Sequence, residues 1–279
     1  MPGDGRGAQT RESAQLLQDL AQDLAQHFAR HFGARGAGYC VEVGALDGIQ
    51  DSNTLHFEGA GWRCLLVEAD PEMAATCRAT RPGSTVMHAA AVAPGTPPEV
   101  SFEVMENCRA LSSLAIGPEV TRRAPAWGLD ARIRRTTVPA RTLDAMLEEW
   151  HPPRLDFVTI DVEGHEWSVL QGFSLARWRP EVLVLERNQR WPDWKILAHV
   201  HRHGYVHVRT IGVNDWYQRA EPGRSTSLRY RAGLLARFEA PLVARALIEG
   251  AARRALDAVG LRGAAARAVH AIRRRKRTT

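Results

Sequence analysis

Lysine is almost missing from this chain of 279 residues. Only Lys195 and Lys276 occur among its 37 basic residues, and the others are arginine. An arginine surplus suits phosphate recognition, but the composition of a GC-rich genome produces the same bias, so it selects no partner class. Cysteine is scarce as well. Cys40, Cys64, Cys77 and Cys108 form no C-x-x-C pair, which argues against a zinc ribbon and a dithiol redox motif. Cys40 and Cys64 stand in apolar, strand-like runs, where a free thiol behaves as a small hydrophobe. A reduced, cytoplasmic protein is the expectation. No run of about eighteen apolar residues occurs, so nothing reads as a membrane span. The opening MPGDGRGAQTRESAQ also lacks the apolar core of a secretory signal.

What is present is enough apolar material for a core, at 44% of residues. The length suits one large domain, or one domain with an appendage. The formal charge of +6 invites a nucleic-acid reading until it is divided along the chain. Residues 220–279 hold 14 Lys+Arg against 4 Asp+Glu, a balance of +10, which leaves the first 219 residues at −4. The body is slightly acidic and carries no nucleic-acid-binding motif, so no specific nucleic acid is expected.

Periodicity predicts an α/β architecture. Leu17, Leu20, Leu24 and Phe28 recur at helical spacing within Thr10–Phe32, and Gly33 stops that helix. Strands are expected at Tyr39–Val43, Cys64–Glu68, Thr85–Val92, Val100–Met105, Ile133–Val138, Asp156–Ile160 and Glu181–Leu185. Helices are expected at Asn53–Gly59, Pro71–Thr80, Thr142–Trp150, His165–Gln171 and Trp194–Arg202. Tyr205–Thr210 and Asp215–Gln218 read as a final antiparallel pair. Strands alternating with helices imply a mostly parallel sheet covered on both faces. The expected divisions are a helical extension over 1–33, the main domain over 34–220 and a basic helical tail over 221–279.

The strongest local signal follows the first strand: Glu42-Val-Gly44-Ala45-Leu-Asp47-Gly48. Gly44 permits a tight turn, and Gly48 lets a ligand approach the backbone. The G-x-x-x-G spacing departs from the dinucleotide G-x-G-x-x-G, which disfavours a pyrophosphate cradle and a nicotinamide enzyme. Glu42 and Asp47 would repel phosphate and hold a ligand ammonium; Glu42 also reads as a satisfied core acid. Glu68 ends the next strand, where a carboxylate can take both hydroxyls of a ribose. Ribose and ammonium without pyrophosphate describe S-adenosylmethionine better than NAD.

A second cluster follows a later strand: Asp161-Val-Glu163-Gly-His165-Glu166. Ligands of open α/β sheets bind outside the carboxyl ends of the strands, so Asp161 should face the same crevice as Gly44. His165 is the natural base by its ordinary pKa, and Asp161 is its rival. Alternatively, Asp161 and Glu163 orient cofactor and substrate without a strong base. Glu166 reads as a first-turn acid that suits the helix dipole. Asp, Glu and His could also bind a divalent ion, but proximity in sequence supplies no ligand geometry, and a metal is not favoured.

These segments resemble the FkbM-type S-adenosylmethionine-dependent methyltransferases. The carrying residues are Val41–Gly48, Ser52–Thr54, Leu66–Pro71, Thr142–Asp144, Asp156–Glu166 and Val169–Gly172. The similarity spans about Tyr39 to Gln218 and leaves out the first helix and the tail. It implies a Rossmann-like class I methyltransferase fold whose seven-stranded sheet ends in an antiparallel strand. It also implies O-methylation of a small-molecule acceptor, either a sugar hydroxyl of a glycan or glycolipid or a hydroxyl of a secondary metabolite. The cofactor-binding candidates are then Glu42, Gly44, Ala45, Asp47, Gly48, Asn53, Glu68, Ala69 and Asp161. The catalytic candidates are Asp161, Glu163 and His165. One departure is Thr159, where many members carry lysine. The other functional reading is a methyltransferase-like protein that has lost catalysis and docks on a membrane or partner through its tail.

Two further segments carry open readings. Asn107–Arg135 is long enough to be a lid or acceptor-binding element, or a surface irregularity. Trp191 and Trp194 could stack on a sugar ring or cap the core. In the tail, apolar residues from Leu235 to Val259 recur at helical spacings among arginines, and Arg273–Arg277 is a basic run. That pattern suits peripheral contact with an anionic membrane, or packing on the body or a partner.

Overall fold

A computed structural model describes residue 32 and residues 37–187, 193–211 and 213–220. The expected helix over Thr10–Phe32, apart from Phe32 itself, the basic tail and Trp191 lie outside these residues. Ten strands and seven α-helices are described in this span.

Four short apolar runs build the centre of the main sheet: β1 (Tyr39–Val43), β2 (Arg63–Glu68), β7 (Phe157–Ile160) and β8 (Val182–Glu186). Alternate residues of each run face opposite sides, and both sides are buried, as a covered parallel sheet requires. Val41, Val43, Leu65 and Val67 pack with α4 (Leu143–Trp150), α5 (Glu166–Gln171) and α7 (Trp194–Arg202). Cys40, Cys64 and Leu66 pack on the other face with Phe57 of α1 (Leu55–Gly59) and Cys77 of α2 (Pro71–Thr80). The sheet is completed by β3 (Thr85–His88), β9 (Tyr205–Ile211) and β10 (Asn214–Arg219).

The sheet order is β3-β2-β1-β7-β8-β10-β9. The first five strands run parallel, and β10 runs antiparallel to both β8 and β9. This is the class I methyltransferase topology, with its last strand antiparallel and inserted before the edge. The order reverses between β1 and β7, so the crevice beside their carboxyl ends is the place for a ligand.

Local chemistry accounts for the helix starts. Asp70 caps α2 by accepting from the Glu72 N–H at 2.9 Å, with Pro71 in the first turn. Thr142 caps α4 through the Ala145 N–H at 3.2 Å.

One expected strand is corrected. Thr85–Val92 is two strands: β3 in the main sheet and β4 (Ala90–Ala91), which pairs with β6 (Ile133–Arg141). The neighbour β2 ends at Glu68, whose carbonyl accepts from the Ala89 N–H, and from Ala90 on the segment pairs with β6 instead. Beyond it, β4, β6 and β5 (Glu99–Met105) form a separate three-stranded sheet. The span 107–135 is not one irregular loop either: it includes α3 (Pro118–Arg123) and two 3-10 turns, the first at Arg109–Leu111. A four-residue helix, α6 (Leu175–Trp178), precedes β8. No helix among the described residues is long and apolar enough to cross a membrane.

Candidate active site

A cavity of about 610 Å³ opens at the carboxyl ends of β1, β2, β7 and β8. That size falls within the roughly 300–1,000 Å³ of small-molecule sites. Eight expected residues line it: Glu42, Gly44, Asn53, Glu68, Ala69, Asp161, Glu163 and His165.

Gly44 makes the junction between the two halves of the cavity possible. Its φ is +87°, and a Cβ there would sit 1.7 Å from the Asp161 carbonyl oxygen. Any side chain would therefore push β1 away from the turn after β7.

Glu42 is 3% exposed and acts as a brace. Its carboxylate accepts from the Asn53 N–H at 2.7 Å, the Ser52 hydroxyl at 2.7 Å and the Thr54 hydroxyl at 2.6 Å. This hydrogen bonding matches the core-acid alternative, while Glu42 also lines the cavity. Arg81, 1% exposed, completes the brace. It donates to the Gly48 carbonyl at 2.8 Å and the Ser52 hydroxyl at 3.2 Å, and pairs with Glu58. Sequence reading passed over Arg81, because an arginine before Pro-Gly at a helix end looks like surface.

Three expected residues stand outside the cavity lining: Ala45, Asp47 and Gly48. Ala45 is buried in the core beside Phe57 and Leu66. Asp47 spends one oxygen on the N–H groups of Ile49 and Gln50, at 2.8 and 2.7 Å, and so shapes the turn. Gly48 is glycine because of the protein's own packing: a Cβ would meet Arg81 Cγ at 2.7 Å and Cys77 Sγ at 2.9 Å.

Glu68 is 7% exposed and accepts from the Leu46 N–H and the Asp70 N–H, both at 2.7 Å. A carboxylate has about four acceptor sites, so capacity remains for a further donor. Burial pushes its pKa up to about 7, against hydrogen bonds from the Asp70, Leu46 and Ala69 N–H groups. Beside it, Ala89, Ala90, Phe102 and Leu114 give the cavity an apolar wall.

The later turn is wound tightly. Glu163 has φ +52° and Gly164 φ +100°. Glu166 is 5% exposed and braces this turn from below, accepting from the Gly164 N–H at 3.0 Å and the Val162 N–H at 3.4 Å. Its expected helix-start role thus includes holding the turn. Asn53 donates to Thr159 at 3.4 Å, which links the two halves below the cavity.

Glu186, at the end of β8, is the main residue that sequence reading missed. It lines the cavity, and one oxygen from each of Asp161, Glu163 and Glu186 lies within 4.8 Å of the others. Such a trio can gather a hard cation, and no second feature among the described residues marks one. Its own electrostatics are those of crowded acids. Burial, then the charge of Asp161, drives Glu186 far up. Burial first, then Asp161, pushes Glu163 up to about 8. Asp161 is also raised by burial, against a hydrogen bond from Glu186. His165 is lowered by burial, which keeps the ring neutral near pH 7.

The Asn107–Arg135 segment is anchored on both sides of the cavity. Arg109 binds Asp70 at 2.6 Å and Glu72 at 2.7 Å. The Ser113 hydroxyl donates to the Glu163 carbonyl at 3.1 Å. Trp194 is 52% exposed and does not line the cavity.

The sheet order and the acid-lined crevice define a Rossmann-like methyltransferase. A family model described as the methyltransferase FkbM domain matches residues 42–207, more than half of the chain. The chain belongs to the FkbM methyltransferase family. Among solved structures it is similar to a TehB-like SAM-dependent methyltransferase from Corynebacterium glutamicum, at 10% identity and TM-score 0.36, covering 77% of this chain and 100% of the other. It is also similar to a protein from Pyrococcus horikoshii titled a putative RNA methyltransferase, at 11% identity and TM-score 0.36, covering 73% and 85%. No curated protein matches the chain.

Proposed function

We propose that the protein is an S-adenosylmethionine-dependent O-methyltransferase acting on a hydroxyl of a sugar, glycan, glycolipid or secondary metabolite. The observation that carries this reading is one cavity lined by Glu68 at one end and by Asp161 and Glu163 at the other. The residues fit the cofactor. Glu68 has lone pairs free for ribose hydroxyls, and the adjoining apolar wall of Ala89, Ala90 and Phe102 suits a flat base.

When bound, the cofactor supplies an activated methyl group. The chain's own work is alignment and proton handling. Asp161, the residue after β7 and beside Gly44, accepts a hydrogen bond from an acceptor hydroxyl and takes its proton. His165, neutral and part-buried, is the second candidate. Glu163, held protonated near neutral pH, orients the acceptor.

Calorimetry with S-adenosylmethionine tests the cofactor assignment. Wild type should bind, and Glu68→Ala should weaken binding about tenfold or more, the scale of lost hydrogen bonds to a carboxylate. Equal affinity for the two proteins would remove Glu68 from the ribose. No binding at all would favour the non-catalytic docking protein. The tail's contact with an anionic membrane is a separate proposal, checked by sedimentation with anionic vesicles with and without residues 221–279.

A further inference from the structure

Asp161, Glu186 and Asn214 form a row across three neighbouring strands. Ile160 pairs with Leu185 in β7 and β8, so the next residues, Asp161 and Glu186, end up side by side. Glu186 in turn pairs with Asn214, the first residue of β10. Adjacent strands lie about 4.8 Å apart, and all three residues line the cavity.

Two features of this row are unfinished. The Asn214 Oδ1 is buried and has no hydrogen-bond partner among the described residues. A buried acceptor in that state is costly and calls for a donor. Asp161 and Glu186 also share a hydrogen bond between carboxyl groups, which requires a proton on one of them. The row therefore combines two hydrogen-bonded carboxyls and an amide carbonyl without a donor.

The surrounding charge narrows what can finish it. Among the described lining residues, Arg109 is the only arginine or lysine, and its guanidinium is taken by Asp70 and Glu72. Asp51 adds a further acid. A carboxylate or phosphate on the acceptor near the reacting hydroxyl would meet uncompensated negative charge.

We propose that Asn214 binds a second hydroxyl of an uncharged acceptor, and that Glu186 is a positioning residue that holds Asp161 toward the reacting hydroxyl. This rests on the hydroxyl-methylation reading above. The acceptor class is then a neutral polyol ring, and acidic sugars and sugar phosphates are excluded at this position. Burial and the neighbouring carboxylate keep the proton on Glu186 across the neutral range, as a donor to Asp161 must have.

The test measures S-adenosylhomocysteine formation with methyl α-D-glucopyranoside, methyl α-L-rhamnopyranoside and the methyl glycoside of glucuronic acid. A neutral glycoside should be turned over at least tenfold better than the glucuronide. Asn214→Ala should raise KM for that glycoside about tenfold, with kcat within about threefold and cofactor affinity unchanged by calorimetry. Glu186→Ala should lower kcat, while Glu186→Gln, which keeps a donor toward Asp161, should restore most of it. Wild-type KM and kcat in both alanine variants would overturn the proposal, as would a preference for the glucuronide. Absence of methylation of every glycoside by wild type that binds the cofactor would overturn the polyol-ring acceptor, and the proposal with it, while leaving methylation of a metabolite hydroxyl standing.

Discussion

The two ends of the cavity treat their acids differently. On the β1–β2 side, Glu42 and Glu68 are held by nearby groups, including the N–H groups of Asn53, Leu46 and Asp70. On the β7–β8–β10 side, Asp161, Glu163 and Glu186 crowd one another, and Asn214 has an orphan oxygen. The first end has its carboxylates fixed by the fold before any ligand arrives. The second is left with unspent hydrogen-bonding capacity, which is the state expected where a reacting group must be received. Under the proposed function, the rigid end would take the cofactor and the strained end the acceptor.

The largest expected effect falls on the strained end. Asp161→Asn keeps the shape and removes the proposed base, so turnover should fall by about 10²–10³, with cofactor affinity held within a few fold. Wild-type turnover in a normally folded variant would break the contrast at its centre, leaving His165 as the base.

Next comes the brace under the rigid end. Glu42→Ala leaves the Ser52 and Thr54 hydroxyls and the Asn53 N–H without the carboxylate to which they donate. Leaving buried donors unsatisfied costs about 1–3 kcal/mol, read as a lower urea midpoint. A midpoint equal to wild type would show that the loop does not depend on this acid.

The smallest effect concerns pH. The Glu163 carboxyl is raised from 4.5 to about 8, so the folded chain keeps a proton that the unfolded chain releases. Stability from this group is full below pH 4.5 and is lost as pH rises toward 8. Asp161, Glu166 and Glu186 are raised in the same direction. Urea midpoints of wild type should therefore fall over this window, and those of Glu163→Gln should fall less. Parallel curves would mean that the acids are better solvated than drawn.

Much of the rigid end was legible because its signals are local. β1 runs from Tyr39 to Val43 as expected, and α2 begins at the Asp70-Pro71 cap. The meaning of individual residues was less legible. Gly48 reads as a place for a ligand and is occupied by Cys77 and Arg81. Asp47 reads as a ligand acid and is a turn residue. A strand expected over Thr85–Val92 divides because its partner β2 stops at Glu68, a fact that lies on another segment. Ser113 gave no sequence signal of its own, yet it ties its segment to the Glu163 turn.

By itself the sequence determined the alternation of apolar runs and helices, the helix caps, the Gly44 turn and the acids after β2 and β7. Each of these depends on neighbours a few residues away, through side-chain alternation, helical period or a short-range hydrogen bond. Only the tertiary structure decided that Glu186 and Asn214 stand beside Asp161. That neighbourhood depends on the register of β7, β8 and β10, and register is set by the packing of whole strand faces. Burial then did what no motif can: it raised the carboxyls of Asp161, Glu163 and Glu186 together, and left one amide oxygen without a donor among the described residues.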